Sequence, residues 1–202
     1  MRTFLPALFC LSAVLFSCAM LPPEIESPPE ERAEIPPVPE NIMGKGIVPP
    51  QERADFLLNA NPRADRNFVE TLAAIYSQEA AAEGVNHDVA FVQMCLETGF
   101  LAFGGDVQPA QYNFAGLGAV GNGEPGLSFS DPRTGVRAHI QHLKAYGSTE
   151  PLNGELVNPR FRFVRRGAAP TIWGLAGTWA ADRQYAVKIN TMLERLYRFA
   201  FE

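Results

Sequence analysis

A mainly α-helical domain is predicted from three observations. Apolar residues recur at three- and four-residue spacing in several stretches between residues 65 and 200, capping residues open those stretches, and one glycine-rich interval, residues 99–131, breaks the pattern. The chain has 202 residues, 47% hydrophobic and 19% charged, which suits one globular domain with about fifty residues to spare. With 17 Lys+Arg against 22 Asp+Glu the formal charge is −5, so the basic excess that marks a nucleic-acid binder is missing.

The elements follow in order. Asp65 or Asn67 caps a helix running to about Glu83, with Phe68, Leu72, Ile75, Tyr76 and Ala80 on one stripe and Gly84 as its stop. Asn86 or Asp88 opens a second helix, from Val89 to about Thr98, stopped by Gly99. Residues 99–131 carry glycines at 104, 105, 116, 118, 121, 123 and 126 without helical period, which predicts a small irregular or β-hairpin lobe. Asp131-Pro132 is a helix start with Pro in the first turn; Val136, Ile140 and Leu143 share a face, and Gly147 ends it. A short helix is expected near Thr171. The last, capped by Asp182, carries Tyr185, Ile189, Met192, Leu193, Leu196 and Phe199.

The domain, residues 51–202, is preceded by two segments of other character. In residues 1–17, Arg2 precedes a thirteen-residue, largely apolar run, Phe4 to Phe16. That is too short to cross a bilayer of about 30 Å as a helix and suits an export signal. Leu15-Phe16-Ser17-Cys18 resembles a bacterial lipobox, with Phe16 bulkier than the pattern usually allows. The resemblance implies that Cys18 is lipidated, making this an exported lipoprotein held at a membrane in the periplasm or at the cell surface. Residues 18–50 hold nine prolines and six glutamates, too little apolar surface to offset ordering entropy, and are expected to form a disordered tether. Of the three cysteines, Cys10 leaves with the signal and Cys18 is the lipid site. Cys95, in an apolar helix, is then an inert core thiol.

Glu97 stands out on physical grounds. It falls in the last turn of its helix, at the negative end of the macrodipole, among Leu96, Phe100, Leu101 and Phe103. Dipole and desolvation both raise a carboxyl pKa, which keeps an acid protonated enough to donate. The bland alternative is a solvated glutamate near a helix end.

Gln93-Met94-Cys95-Leu96-Glu97-Thr98-Gly99-Phe100 resembles the Q-x-x-L-E-[ST]-G-[WF] stretch of the bacterial glucosaminidases, glycoside hydrolase family 73, which includes flagellar peptidoglycan hydrolases, autolysins and Bax-type proteins. Asn113-Phe114-Ala115-Gly116-Leu117 is similar to the family's N-x-F-G-[IL] loop, and the stretch from Trp179 to Ala186 to its Y-A-T-D-P-x-Y-A segment, all in the family's order. The resemblance implies a lysozyme-like, two-lobed fold around a glycan groove. It implies an endo-β-N-acetylglucosaminidase acting on peptidoglycan glycan strands, with Glu97 as general acid and neither metal nor organic cofactor. Gln93, on the same helix face as Glu97, is then placed to orient the acid or a sugar; Asn113, Phe114, Trp179 and Tyr185 are substrate-side residues. Ala115 stands where the family usually has Phe, Trp179 where it has the first Tyr, and Arg183 where it has Pro.

For the second carboxylate that paired glycosidases use, Glu124 and Asp131 are the candidates, Glu124 slightly preferred because Asp131 also reads as an N-cap. Assistance by the substrate's N-acetyl group stays open. A muramidase or lytic transglycosylase on this fold, or a non-catalytic wall-binding lipoprotein, are the rival functions. Charge is split: residues 51–131 carry 3 basic and 11 acidic groups, residues 132–202 carry 11 and 5. Arg160, Arg162, Arg165 and Arg166 cluster as a patch that either contacts anionic wall components or pairs with the acidic half. His87, His139 and His142 lack the ligand set of a zinc site and are expected at the surface or groove edge.

Overall fold

A computed structural model describes residues 34–119, 121 and 123–202. The expected signal, Cys18 and the first part of the tether lie outside these residues.

The domain is mainly helical. Its α-helices are α1 (Pro50–Ala60), α2 (Arg66–Glu83), α3 (His87–Thr98), α4 (Pro132–Gly147) and α5 (Tyr185–Phe201), with short 3₁₀ turns at Pro109–Gln111, Phe161–Phe163 and Ile172–Leu175. The helices begin and end where side-chain chemistry dictates. Asp65 accepts the Phe68 N–H (2.7 Å) at the start of α2, and Asn86 accepts those of Asp88 and Val89 (2.9 and 3.3 Å) at the start of α3. Gly84 and Gly99 close the two helices in the left-handed conformation. α5 starts at Tyr185, three residues after the expected cap, because Asp182 instead accepts the Gln184 N–H (2.8 Å) in a preceding turn.

α3 is the centre of the domain. It is apolar nearly all round, from Val89 to Cys95 every residue is buried, and α2, α4 and α5 pack against it. Tyr76 of α2 meets Phe91 of α3 edge to face at 5.7 Å. Cys95 lies in this core, where burial pushes its thiol up.

Two carboxylates of α2 tie it to α4 and to the chain beyond. Glu79 takes Arg133 (2.6 Å) and Arg137 (2.8 Å). Glu83, 3% exposed, takes Lys144 Nζ (2.8 Å) and the N–H groups of Asn153 (2.9 Å) and Gly154 (3.0 Å).

The tether expectation is corrected over residues 34–50. Ile42 and Val48 are buried in the core, and the backbone around them pairs with two parts of the domain. Ile172 N–H donates to Glu40 O (2.8 Å), Ile42 N–H to Pro170 O (3.0 Å), and Asn86 N–H to Ile42 O (2.8 Å). The physical reason is local: between Pro39 and Pro49 the chain has no proline, so its N–H groups are free to pair, and Ile42, Met43 and Val48 supply apolar anchors. This arm also explains Gly147. The residue ends α4 as expected, but a Cβ there would lie 2.8 Å from Ile42 Cγ2, so glycine is required by the arm's close approach.

Residues 99–131 form the irregular lobe. Among the described residues its ordered features are the Pro109–Gln111 turn and one antiparallel bridge, Gly121 to Glu124.

Candidate active site

Glu97 is the penultimate residue of α3. Beyond Gly99 (φ 57°), Phe100, Leu101 and Phe103 follow at φ 56°, 60° and 55°. Left-handed backbone costs an L-residue roughly 1–2 kcal/mol. The run is held by Phe103 N–H donating to Thr98 O (2.7 Å) and Leu101 N–H to Thr98 Oγ1 (2.9 Å). Strain gathered beside one carboxylate is what functional loops show.

The loop turns away to leave a cleft of about 270 Å³, lined by Glu97, Phe103, Asp106, Asn113, Gly116 and Ala119 among others. Glu97 is an exposed residue on the wall of the cleft, and one oxygen of its carboxyl is held by Trp179 and Tyr185. Trp179 Nε1–H donates to Oε1 at 3.1 Å, and the Tyr185 hydroxyl donates to the same oxygen. The other oxygen, Oε2, lies over Gly116, 3.7 Å from where a Cβ would stand. Burial raises the Glu97 pKa; the Tyr185 and Trp179 hydrogen bonds oppose it without cancelling it.

Behind the carboxyl lies a file of buried polar groups. Gln93 Nε2–H donates to the Tyr185 hydroxyl oxygen (2.8 Å), Gln93 Oε1 lies 2.9 Å from His139 Nε2, and His139 Nδ1 lies 2.9 Å from the Tyr76 hydroxyl. Gln93, His139 and Tyr76 are each 0% exposed. Burial first, and His142 next, push His139 down to about 3, so it is neutral. Trp179 is braced by the rings of His142 (5.1 Å), Tyr146 (5.6 Å) and His139 (5.8 Å).

Several sequence expectations change. Phe114, expected in the groove, is 1% exposed and belongs to the core, where an apolar ring gains more than it would in water. Asn113 does line the cleft, yet its amide is spent on the lobe: it accepts the Leu117 N–H (2.9 Å) and donates to Leu117 O (2.9 Å) and Leu127 O (3.0 Å). Gln93 is out of a sugar's reach and touches Tyr185 instead. Asp131 is the N-cap of α4; the Thr134 hydroxyl, the Thr134 N–H and the Ser130 hydroxyl hold it at about 2. Glu124 is an exposed turn residue and is not among the residues that line the cleft. The carboxylate that does share the cleft with Glu97 is Asp106, which accepts the Gly123 N–H at 3.1 Å. Sequence reasoning missed it; the available signal was a lone acid after Gly104-Gly105. The histidine expectation fails for His139, which is core. Among the described residues no group of three or more His, Cys, Asp or Glu is placed to hold a metal ion.

The domain is thus helical, with the Glu97 carboxyl beside a strained loop and a cleft that it shares with Asp106. Residues 73–198 match the glucosaminidase family, described as mannosyl-glycoprotein endo-beta-N-acetylglucosaminidase, and the chain belongs to that family. A protein of Borreliella burgdorferi, described as uncharacterized, is 43% identical over 158 residues, 78% of this chain and 78% of that one. The fold is similar to that of S. aureus Autolysin E, solved in complex with the muropeptide NAM-L-Ala-D-iGlu. There the TM-score is 0.50 and the identity 16%, over 80% of this chain and 74% of that chain.

Proposed function

We propose that this protein is a peptidoglycan hydrolase of the endo-β-N-acetylglucosaminidase type, with Glu97 as its general acid, exported and held at a membrane by lipid on Cys18. The observation that carries the enzymatic reading is the Glu97 carboxyl itself. It stands at the cleft, two neutral donors serve one of its oxygens, and its pKa is raised. Because Tyr185 and Trp179 both donate to Oε1, the acid's proton belongs on Oε2, the oxygen over Gly116. From there it is transferred to the leaving glycosidic oxygen, and the carboxylate left behind keeps both donors, which stabilise it as charge develops. Asp106, in the same cleft, is the candidate to steady the oxocarbenium-like sugar or direct water, in place of Glu124 and Asp131.

The test is muropeptide analysis of purified wall after digestion. Free N-acetylglucosamine reducing ends are expected, with Glu97→Gln slowed by about 1,000-fold at unchanged melting temperature, and Asp106→Asn slowed by a smaller factor. N-acetylmuramic or 1,6-anhydro ends would assign a muramidase or a lytic transglycosylase. Retention on wall without turnover would assign a binding protein. Equal cleavage by Glu97→Gln would remove the proposed acid.

A further inference from the structure

We infer that Tyr76 and His139, neither of which faces the cleft, are positioning residues: they fix the direction of a buried hydrogen-bond file that ends on Glu97. The inference rests on the reading of Glu97 as the acid, and extends it to two residues that no family-like motif in this sequence contains.

The file runs Tyr76 hydroxyl, His139 Nδ1, His139 Nε2, Gln93 Oε1, Gln93 Nε2, Tyr185 hydroxyl, Glu97 Oε1, with separations of 2.9, 2.9 and 2.8 Å for its first three bonds. A neutral imidazole has one N–H and one bare nitrogen, and an amide oxygen only accepts. Such a file has two self-consistent directions. In the outward one, Tyr76 donates to Nδ1, Nε2–H to Gln93 Oε1, Gln93 N–H to Tyr185 and Tyr185 to Glu97. In the inward one, with the amide turned over, every bond reverses and Tyr185 donates away from Glu97.

Tyr76 decides between them. Its hydroxyl is fully buried, and among the described residues its one hydrogen-bond partner is His139 Nδ1. If the file ran inward, Nδ1 would carry the proton and the Tyr76 O–H would be left in the core with no acceptor, a cost of about 1–3 kcal/mol. The phenol is held un-ionised by burial, so it keeps its proton and donates. The outward direction follows, and with it a Tyr185 hydroxyl committed to Oε1 and an acid proton committed to the cleft-side oxygen.

The consequence concerns the ionisation of Glu97. The titratable groups that face it are Tyr185 on α5 and Asp106 in the lobe, with Tyr146 and His142 of α4 behind Trp179. A hydroxyl obliged to donate favours the carboxylate. Removing the obligation lets Tyr185 turn toward Gln93 and makes the carboxyl harder to ionise.

The experiment is a titration of the Glu97 side-chain carboxyl carbon by NMR in the full chain, comparing wild type with Tyr76→Phe. Tyr76→Phe keeps the ring against Phe91 and removes only the hydroxyl. The midpoint is expected to rise by about 0.5–1 pH unit, and the alkaline limb of kcat to move with it while KM stays within twofold. Tyr185→Phe, which deletes the last donor outright, is expected to raise the midpoint at least as far. If Tyr76→Phe lowers the melting temperature but leaves the Glu97 midpoint in place, Tyr76 and His139 are core residues only and the inference is wrong. Because the titration needs no substrate, a protein that fails to cleave wall yet shows the shift would overturn the proposed function and leave the file intact.

Discussion

The α2–α4 interface and the cleft each hold carboxyl groups, and they shift their pKa values in opposite directions. Burial is the leading influence at Glu79, Glu83 and Glu97, and at all three it pushes the pKa up. At Glu79 it is overcome by Arg137 and Arg133. At Glu83 it is overcome by the Asn153 N–H, Lys144 and the Gly154 N–H. Among the described residues Glu97 is given a hydroxyl and an indole N–H and no cation, and there burial wins. The two acids of the interface meet full positive charges, whereas the cleft acid meets neutral dipoles.

The largest effect is expected from importing a cation to the cleft. Trp179→Lys places an ammonium where the indole N–H was, so Glu97 should ionise readily and wall hydrolysis at neutral pH should fall by about 100-fold or more. Initial rates within a few-fold of wild type would show that the absence of a cation is unimportant. Removing one from the interface comes next. Lys144→Met leaves Glu83 buried without its cation and is expected to destabilise the domain by about 3–5 kcal/mol in urea titration; a loss under about 1 kcal/mol would mean the pair is dispensable.

The pH dependence of stability sharpens the same contrast. The folded-state pKa values of Glu79 and Glu83 are lowered, so their contribution is present above the unfolded value, about 4.3, and is lost as pH falls through the folded values. Glu97 has the opposite sign: its folded pKa is raised, so its contribution is full below the unfolded value and is lost as pH rises through the folded one. The melting temperature should therefore drop steeply below about pH 4.3 in wild type, and Glu97→Gln should flatten only the weaker decline on the alkaline side. A wild-type curve flat down to pH 3 would contradict the assignment of Glu79 and Glu83.

The smallest effect concerns the arginine patch. Arg160 and Arg162 lie over the exposed Phe163 ring at 5.2 and 4.8 Å, and Arg160 acts on His142 and Tyr146 beside Trp179. Replacing both arginines by Gln should slow cleavage of wall bearing peptide stems by about threefold and leave stem-stripped glycan unaffected. An equal loss on both substrates would exclude recognition of the stem carboxylates.

How far the sequence reached differed by region. α2, α3 and α4 were legible because their boundaries are local: Asp65, Asn86 and Asp131 cap through neighbours three residues away or fewer, and Gly84 and Gly99 supply the stops. The arm at residues 34–50 was misread because proline and glutamate dominate its composition, whereas a few apolar residues decide its fate. Phe114 was misread for a related reason, since an aromatic in a glycine-rich loop looks the same whether it faces a sugar or the core.

The helical class, the start and stop of the central helices, and the place of Glu97 at the unfavourable end of one of them are written in local residues, because capping, periodicity and dipole act within a few positions along the chain. Which groups meet that carboxyl is a matter of packing. Trp179 and Tyr185 lie more than eighty positions away along the chain, and the hydrogen-bond file from Tyr76 and His139 reaches it through Gln93 and Tyr185. Hydrogen bonds and desolvation depend on distance in space, and that distance is set by how α3 is wrapped.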